Sequence, residues 1–166
     1  MSATNDSVAA AQAQPQGPQL NILKVYVKDL SFEAPGTPGI FNEVTQQQTT
    51  VDTQIGNSAS TVGPNLHEVV LAITITVRMG ERSVYVAEVK QAGVFAIQGV
   101  EDAQMPMVLA AVCPSILFPF ARESVCDVVV RGGFPQLLLP PVNFEALYQQ
   151  QLAQRQVTAN GETLQA

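Results

Sequence analysis

The sequence contains little of what most catalytic and nucleic-acid-binding sites require. Its 166 residues include no tryptophan, one histidine, two cysteines, and eight lysines and arginines against fourteen aspartates and glutamates. The net charge of −6 argues against nucleic acid or an anionic membrane as a partner, because both are bound by basic patches. The same charge permits a basic partner or basic substrates.

Targeting segments and cofactor motifs are also absent from the sequence. No apolar run approaches the length of about 18 residues that a membrane-spanning helix needs. The first residues, MSATNDSVAAAQAQPQGPQ, have neither the positive charge nor the apolar stretch of a signal peptide. The phosphate-binding motifs G-x-x-x-x-G-K-[ST] and G-x-G-x-x-G do not occur. We therefore expect no cofactor.

Few residue combinations in this chain offer reaction chemistry. His67 and Cys126 are conceivable as a base and a nucleophile, but nothing near either residue in the sequence supports that pairing. Zinc would need about four ligands, which two cysteines and one histidine do not supply without carboxylates. We interpret Cys113 and Cys126 as thiols of an intracellular chain. The protein is predicted not to be an enzyme.

The two ends of the chain differ in composition from its middle. Residues 1–19 are mainly Ala, Gln, Pro, Ser and Gly, which cannot bury enough apolar surface to offset chain entropy. They predict a disordered N-terminal tail, and residues 155–166 similarly predict a flexible C-terminal tail. With 46% hydrophobic residues overall, residues 20–154 can form one domain.

Alternating apolar and polar residues predict strands in the first half of that domain. The stretch LNILKVYVKDLSFEAP alternates, and its apolar face changes near Asp29, which indicates a bulge. TQQQTTVDTQI suggests a weak, exposed strand, and GNSASTVGPN suggests a loop. HEVVLAITITVRM and SVYVAEVKQAGVFAI, joined by GER, predict a hairpin. The strand HEVVLAITITVRM has one apolar face, formed by Val69, Leu71, Ile73, Ile75, Val77 and Met79.

Helical patterns follow Gly99. VEDAQMPMVLAAVC predicts a helix that stops at Pro114, and SILFPFARESVCDVVVRGG predicts the main helix, with Ser115 as its cap and Gly132 at its end. NFEALYQQQLAQ predicts a last helix capped by Asn143. Strands followed by helices indicate an α+β fold. One small sheet covers only one face of a helix. The main helix has more apolar residues than the sheet can bury: Ile116, Leu117, Phe118, Phe120, Val125, Val128, Val129 and Val130.

The stretch GFPQLLLPPVNF, residues 133–144, places three consecutive leucines among prolines, which prevent regular structure and favour an extended chain. Successive side chains of an extended chain point to alternate sides. Leu137 and Leu139 are therefore predicted to face one way and Leu138 the other, so that one layer cannot bury all three. We predict that at least one of them is available to bind apolar segments of another chain.

Four segments in this order, VYVKDLSFEAP, GVFAIQGVE, CPSILFPFARE and RGGFPQLLLPPVNFEALY, resemble the SecB family of bacterial protein-export chaperones. The resemblance covers most of residues 22–152. It implies a four-stranded antiparallel sheet with helices on one face. It also implies a cytoplasmic, ATP-independent chaperone that binds unfolded secretory precursors, keeps them translocation-competent and delivers them to the SecA motor. The expected assembly is a homotetramer built as a dimer of dimers.

The same resemblance implies where partners bind. In SecB-like proteins, acidic residues on the open face of the sheet contact the basic, zinc-bearing C-terminal tail of the motor. The motifs VKDLSFEA and VYVAEV carry this role onto Asp29, Glu33, Val86 and Glu88. Around the three leucines we predict a groove for extended client segments, lined by Phe41, Val51, Phe134, Leu137, Leu138, Leu139, Phe144, Leu147 and Tyr148.

Two alternatives remain open from the sequence. A SecB-like chaperone of a toxin–antitoxin system would show the same motifs. A structural oligomer without client binding would use its exposed apolar residues as subunit interface.

Overall fold

The computed structural model describes residues 17–44 and 47–162. Strands β1 (Gln19–Glu33), β2 (Thr50–Gly63), β3 (Leu66–Met79) and β4 (Arg82–Gln98) form one antiparallel sheet in the order β1-β4-β3-β2. The helical elements are α1 (Ile40–Val44), α2 (Met105–Met107), a π-helical turn (Val108–Val112), α3 (Cys113–Arg131) and α4 (Phe144–Glu162). Together α2, the π-helical turn and α3 make one continuous helix, Met105–Arg131, called here the long helix. The predicted α+β class and four-stranded antiparallel sheet are confirmed.

The core lies between the long helix and the two central strands. The predicted apolar face of β3 is confirmed, since all six of its residues are at most 5% exposed. The same face of β4 contributes apolar residues that are equally inaccessible: Ala87, Val89, Phe95 and Ile97. The opposite side of the sheet, called here the open face, carries the alternate residues of each strand.

The long helix approaches β4 closely at Gly93. A Cβ atom there would lie 2.9 Å from Cδ2 of Leu117 and 2.8 Å from a ring carbon of Phe95, so any other residue at this position would force one of these two side chains to shift. Gln91, the one buried polar side chain of the core among the described residues, lies two positions away. Its amide donates to the Tyr26 carbonyl at 2.9 Å, so β4 is tied to the edge strand β1 and the buried amide is not left unpaired.

Edge strand β1 is bulged twice. A register shift between Val27 and Asp29 confirms the predicted bulge, and a second shift between Ile22 and Lys24 was not predicted. Each bulge inserts one residue that has no partner on β4. Because of the bulge at residue 28, Val27 and Leu30 both lie on the helix side, whereas Asp29 lies on the open face.

Edge strand β2 extends further than the sequence predicted. Most of GNSASTVGPN, expected to be a loop, is strand, and it pairs with β3 from Thr50 to Gly63. Its side chains are mainly small, polar and exposed. Such residues have weak strand propensity, which the hydrogen bonds offered by the well-packed neighbouring strand override here.

The long helix does not stop at Pro114, and that prediction was wrong. A proline inside a helix lacks the N–H that would bond to the carbonyl four residues earlier, here that of Ala110. The side-chain amide of Asn57, on β2, donates to this carbonyl at 2.7 Å instead. The π-helical turn precedes the proline and changes the local hydrogen-bond pattern. Ser115 is not a cap, because its hydroxyl donates to the Ala111 carbonyl at 2.7 Å within the helix.

The end of the long helix is the predicted one. Gly132 is the C-cap, and Gly133 has a φ of +86°, which glycine adopts without strain. The Phe134 N–H donates to the Val129 carbonyl at 3.2 Å, and the Gly133 N–H donates to the Val130 carbonyl at 3.0 Å. This pair of bonds is a Schellman motif. It turns the chain so that Phe134 enters the core at 5% exposure.

The long helix is also long and apolar enough to cross a membrane by length and composition, with a mean hydropathy of 1.5 over 18 residues. In the structure, Leu117, Ala121, Val125 and Val129 are fully buried in the core. This is the packing of a core helix of a globular domain.

Helix α4 begins as predicted, since Oδ1 of Asn143 accepts a hydrogen bond from the Ala146 N–H at 3.0 Å. It continues to Glu162 and so enters the segment expected to be a flexible tail. Residues 1–16 and 163–166 of the two predicted tails lie outside the described residues. The division of the chain at residues 19 and 155 stays a prediction.

Replacing Asn57 by alanine should lower the free energy of unfolding by about 1–3 kcal/mol, because it leaves the Ala110 carbonyl without a donor. Gln54→Ala is the control, since Gln54 is exposed on the same strand and its replacement should change stability by no more than about 0.5 kcal/mol. Urea denaturation followed by circular dichroism measures both. Equal effects of the two substitutions would show that the Asn57 bond does not stabilise the helix.

Candidate functional site

The segment that follows the long helix, residues 134–143, is called here the strap. Its three leucines alternate as predicted: Leu137 is half-buried, Leu138 is 74% exposed and Leu139 is 5% exposed. The Cys126 thiol donates to the Leu137 carbonyl at 2.8 Å and so attaches the strap to α3. The strap thus seals the core with one side and presents Leu138 to solvent with the other.

An aromatic cluster surrounds the beginning of the strap. The ring centroid of Phe134 lies 5.1 Å from that of Phe41, 4.8 Å from that of Tyr85 and 6.1 Å from that of Phe32, within the range of favourable aromatic pairs. Phe41 is 37% exposed at the edge of this cluster. Beside it lies an open pocket of about 510 Å³, lined by Phe41, Val44, Gly133, Phe134 and Pro135.

A second pocket lies where the strap ends. It has a volume of about 430 Å³ between the π-helical turn and the start of α4, and its lining includes Met107, Ala111, Val112, Pro141, Val142 and Phe144. Phe144 is buried, with its ring centroid 5.7 Å from that of Phe118. Leu147 and Tyr148 are half-buried on α4. The length of α3 separates this pocket from the first by about 28 Å, at 1.5 Å per residue.

The predicted groove residues therefore form two groups, which the strap joins. The first group lies beside the pocket at Phe41 and Phe134, and the second lies beside the pocket at Phe144. Val51 belongs to the first group, because it pairs with Val77, which pairs with Tyr85 of the aromatic cluster. Solvent reaches Phe41, Val51 and Leu138 most directly. Three predicted lining residues are also part of the core, where the helix-ending turn and the inward side of the strap bury most of their surface: Phe134, Leu139 and Phe144. Phe134 and Phe144 still line the two pockets.

The second predicted site is assembled on the open face. In the β1–β4 register, Asp29 lies opposite Lys90, Ser31 lies opposite Glu88, and Glu33 lies opposite Val86. All of these residues alternate with residues of the buried face. The structure thus brings together the four predicted residues, called here the acidic patch: Asp29, Glu33, Val86 and Glu88.

Lys90 is a member of this site that sequence reasoning missed. Its Nζ lies 3.2 Å from a carboxylate oxygen of Asp29 and 3.6 Å from one of Glu88. The hydrogen bond to Asp29, and then the charges of both carboxylates, raise the pKa of Lys90. The strand alternation in VYVAEVK could have placed Lys90 beside Glu88, since residues two apart share a face.

The one conceivable catalytic pair is not assembled. Nδ1 of His67 lies 3.5 Å from the Thr61 hydroxyl on the β2–β3 pair, whereas the Cys126 thiol is bonded to the strap. The other thiol is also unsuited to nucleophilic attack, because burial raises the pKa of Cys113 to about 12.

Comparison with known proteins identifies the family. Residues 12–155 match the family described as "Preprotein translocase subunit SecB". The chain belongs to the SecB family. It is a cytoplasmic, non-enzymatic chaperone of preprotein translocation, as the sequence predicted.

Curated relatives in the SecB family are similar over nearly their whole length. The chain is 50% identical to the protein-export protein SecB of Halorhodospira halophila over 152 residues, which are 92% of this chain and 86% of that protein. It is 47% identical to that of Nitrosococcus oceani, over 90% of this chain and 91% of the relative. It is 44% identical to the protein-export protein SecB of Marinobacter nauticus, over 96% of this chain and 95% of that protein.

A solved structure shares the SecB-like fold. The Mycobacterium tuberculosis SecB-like chaperone, in complex with a ChAD peptide from an antitoxin, matches with a TM-score of 0.60 and 17% identity. The match covers 74% of this chain and 90% of that one. At this identity it shows the fold alone.

The two sides of the strap should respond differently to truncation. Leu139→Ala should lower the free energy of unfolding by about 2–5 kcal/mol, because it opens a cavity in the core. Leu138→Ala, the matched control, should change it by no more than about 0.5 kcal/mol. Thermal and urea denaturation measure both. Equal losses would mean that the strap buries both leucines.

Proposed function

We propose that the protein holds unfolded precursor proteins along the strap without ATP and delivers them to SecA through the acidic patch. The observation that supports client binding best is Leu138, a large aliphatic side chain that is 74% exposed on a segment anchored at both ends. Exposed apolar surface framed by pockets is typical of interaction sites. Here one apolar pocket lies at each end of the strap.

The geometry suits an extended, sequence-tolerant client. The two pockets can each receive an apolar or aromatic side chain, and about 28 Å of helix separates them. An extended segment of eight or nine residues spans roughly that distance at about 3.3 Å per residue. Contacts of this kind depend on apolar area more than on a particular sequence, which fits a chaperone of many precursors.

Leu138→Ala should weaken binding of an unfolded client about tenfold, because burial of a leucine contributes roughly 1.5–3 kcal/mol. The measurements are affinity for a denatured, slow-folding protein and suppression of its aggregation without ATP. Val62→Ala is the matched control, since Val62 is 54% exposed on β2, outside the strap. Unchanged affinity of the Leu138 variant, at a temperature where the fold is intact, would refute client binding by the strap.

Delivery to the motor is supported by the charges of the open face. Asp29 and Glu88 are about half and one-third exposed, and the adjacent Val86 supplies an apolar contact. A basic tail would pair with these carboxylates, and such pairing weakens as salt screens it. We therefore propose that the acidic patch binds the basic C-terminal tail of SecA.

The double substitution Asp29→Ala and Glu88→Ala should weaken SecA binding at low salt. Glu101→Ala with Asp102→Ala is the matched control, because it removes the same charge from the segment after β4 and should have a much smaller effect. Calorimetry at two salt concentrations measures both. If both doubles bind SecA equally at low salt, the docking assignment is wrong.

We also propose that the protein assembles as a homotetramer, a dimer of dimers. The long helix exposes apolar side chains on the side away from the sheet, and β1 exposes more along the edge of the sheet: Val112, Phe120 and Val130 on the helix, and Ile22, Leu23, Val27 and Leu30 on the strand. Surfaces of this kind are costly on a monomer and typical of subunit interfaces.

Phe120→Asp should dissociate the assembly, because a charge would be buried without a partner at the interface. Sedimentation at micromolar concentration should show a tetramer for the parent protein and smaller species for the variant. Since Phe120 is 44% exposed in the single chain, the protomer should stay folded by circular dichroism. A monomeric parent protein would refute the assembly.

The two sequence-level alternatives differ in what they predict. The relatives at 44–50% identity are protein-export proteins, which favours export over a toxin–antitoxin role. A structural oligomer without clients would bury Leu138 in its assembly and would not suppress aggregation.

A further inference from the structure

The acidic patch contains its own cation. Lys90 lies on β4 between the carboxylates of Asp29 and Glu88, at 3.2 Å and 3.6 Å. Glu33, the third carboxylate of the patch, has no ion pair among the described residues. Two of the three carboxylates that would receive a basic partner are thus already paired within the chain.

This pairing is exchangeable. The side chains of Lys90, Asp29 and Glu88 are 43%, 52% and 36% exposed, so water can replace either contact. Exposed ion pairs of this kind are weak. A basic partner can therefore displace Lys90, but it must break the internal pairs and tolerate a like charge within its own binding surface.

Resting on the docking role proposed above, we infer that Lys90 is an internal competitor that lowers the affinity of the acidic patch for a basic partner segment. It keeps Asp29 and Glu88 partly neutralised until an incoming cation replaces it. Glu33 is then the carboxylate available for first contact. The consequence is a reversible, salt-sensitive contact from which the partner is readily released.

A second ion pair on the same face provides the control. Lys28 Nζ lies 2.8 Å from one carboxylate oxygen of Glu68 and 2.9 Å from the other, and the Tyr26 hydroxyl donates to the same carboxylate. This pair lies on the open face but does not include a carboxylate of the acidic patch. Lys28→Gln therefore removes the same charge from the same surface without releasing Asp29 or Glu88.

The test compares Lys90→Gln with Lys28→Gln in binding to purified SecA, by calorimetry at low and at moderate salt. Lys90→Gln should strengthen binding about two- to fivefold at low salt, as expected for loss of a weak surface pair, and should make binding more salt-sensitive. Lys28→Gln should have a clearly smaller effect. In the background Asp29→Asn with Glu88→Gln, the added Lys90→Gln should no longer strengthen binding.

The outcomes separate the two proposals. If the Asp29 and Glu88 substitutions weaken SecA binding but Lys90→Gln and Lys28→Gln act alike, the competitor role of Lys90 is wrong and the docking site stands. If the Asp29 and Glu88 substitutions do not affect binding, the docking site is wrong and the role of Lys90 with it. If Lys90→Gln still strengthens SecA binding in the doubly substituted background, the inference is also contradicted, because the stronger binding would then come from net charge alone.

Discussion

The close packing of one long helix on one face of a small sheet is the constraint on which the other features depend. At Gly93 the Leu117 side chain of the helix lies so near β4 that a methyl group on residue 93 would displace it. This contact buries one side of the long helix and leaves its opposite side apolar and exposed. It also leaves the second face of the sheet uncovered by the long helix, where the charged residues lie. The core, the proposed assembly surface and the proposed docking surface thus follow from a single packing arrangement.

The strap shows how the same constraint produces the proposed client-binding surface. The Schellman turn at Gly133 directs Phe134 into the core, and prolines keep the following residues extended. An extended chain on a closed core can bury only alternate side chains. Leu139 is therefore structural and Leu138 is available, although the two are chemically identical and adjacent in the sequence.

Local patterns predicted what depends on local rules. The buried face of β3, the bulge near Asp29, the helix end at Gly132 and the alternation of the leucines all follow from strand period, turn chemistry or backbone restriction. The continuation of the helix through Pro114 does not follow from local rules, because the compensating donor, Asn57, lies 53 residues before Ala110, whose carbonyl it binds. The groove was predicted as one set of residues, yet burial divides it, because exposure depends on packing that the sequence does not display.

Site-specific photo-crosslinking tests the central claim, that the outward side of the strap and the adjacent pocket contact unfolded clients. A photoreactive amino acid is placed in turn at Leu138, at Phe41, and at Thr76 on the open face of β3. With an unfolded precursor bound and then irradiated, positions 138 and 41 should give adducts and position 76 should give none. Adducts from position 76 alone, or equal yields from all three positions, would contradict this account.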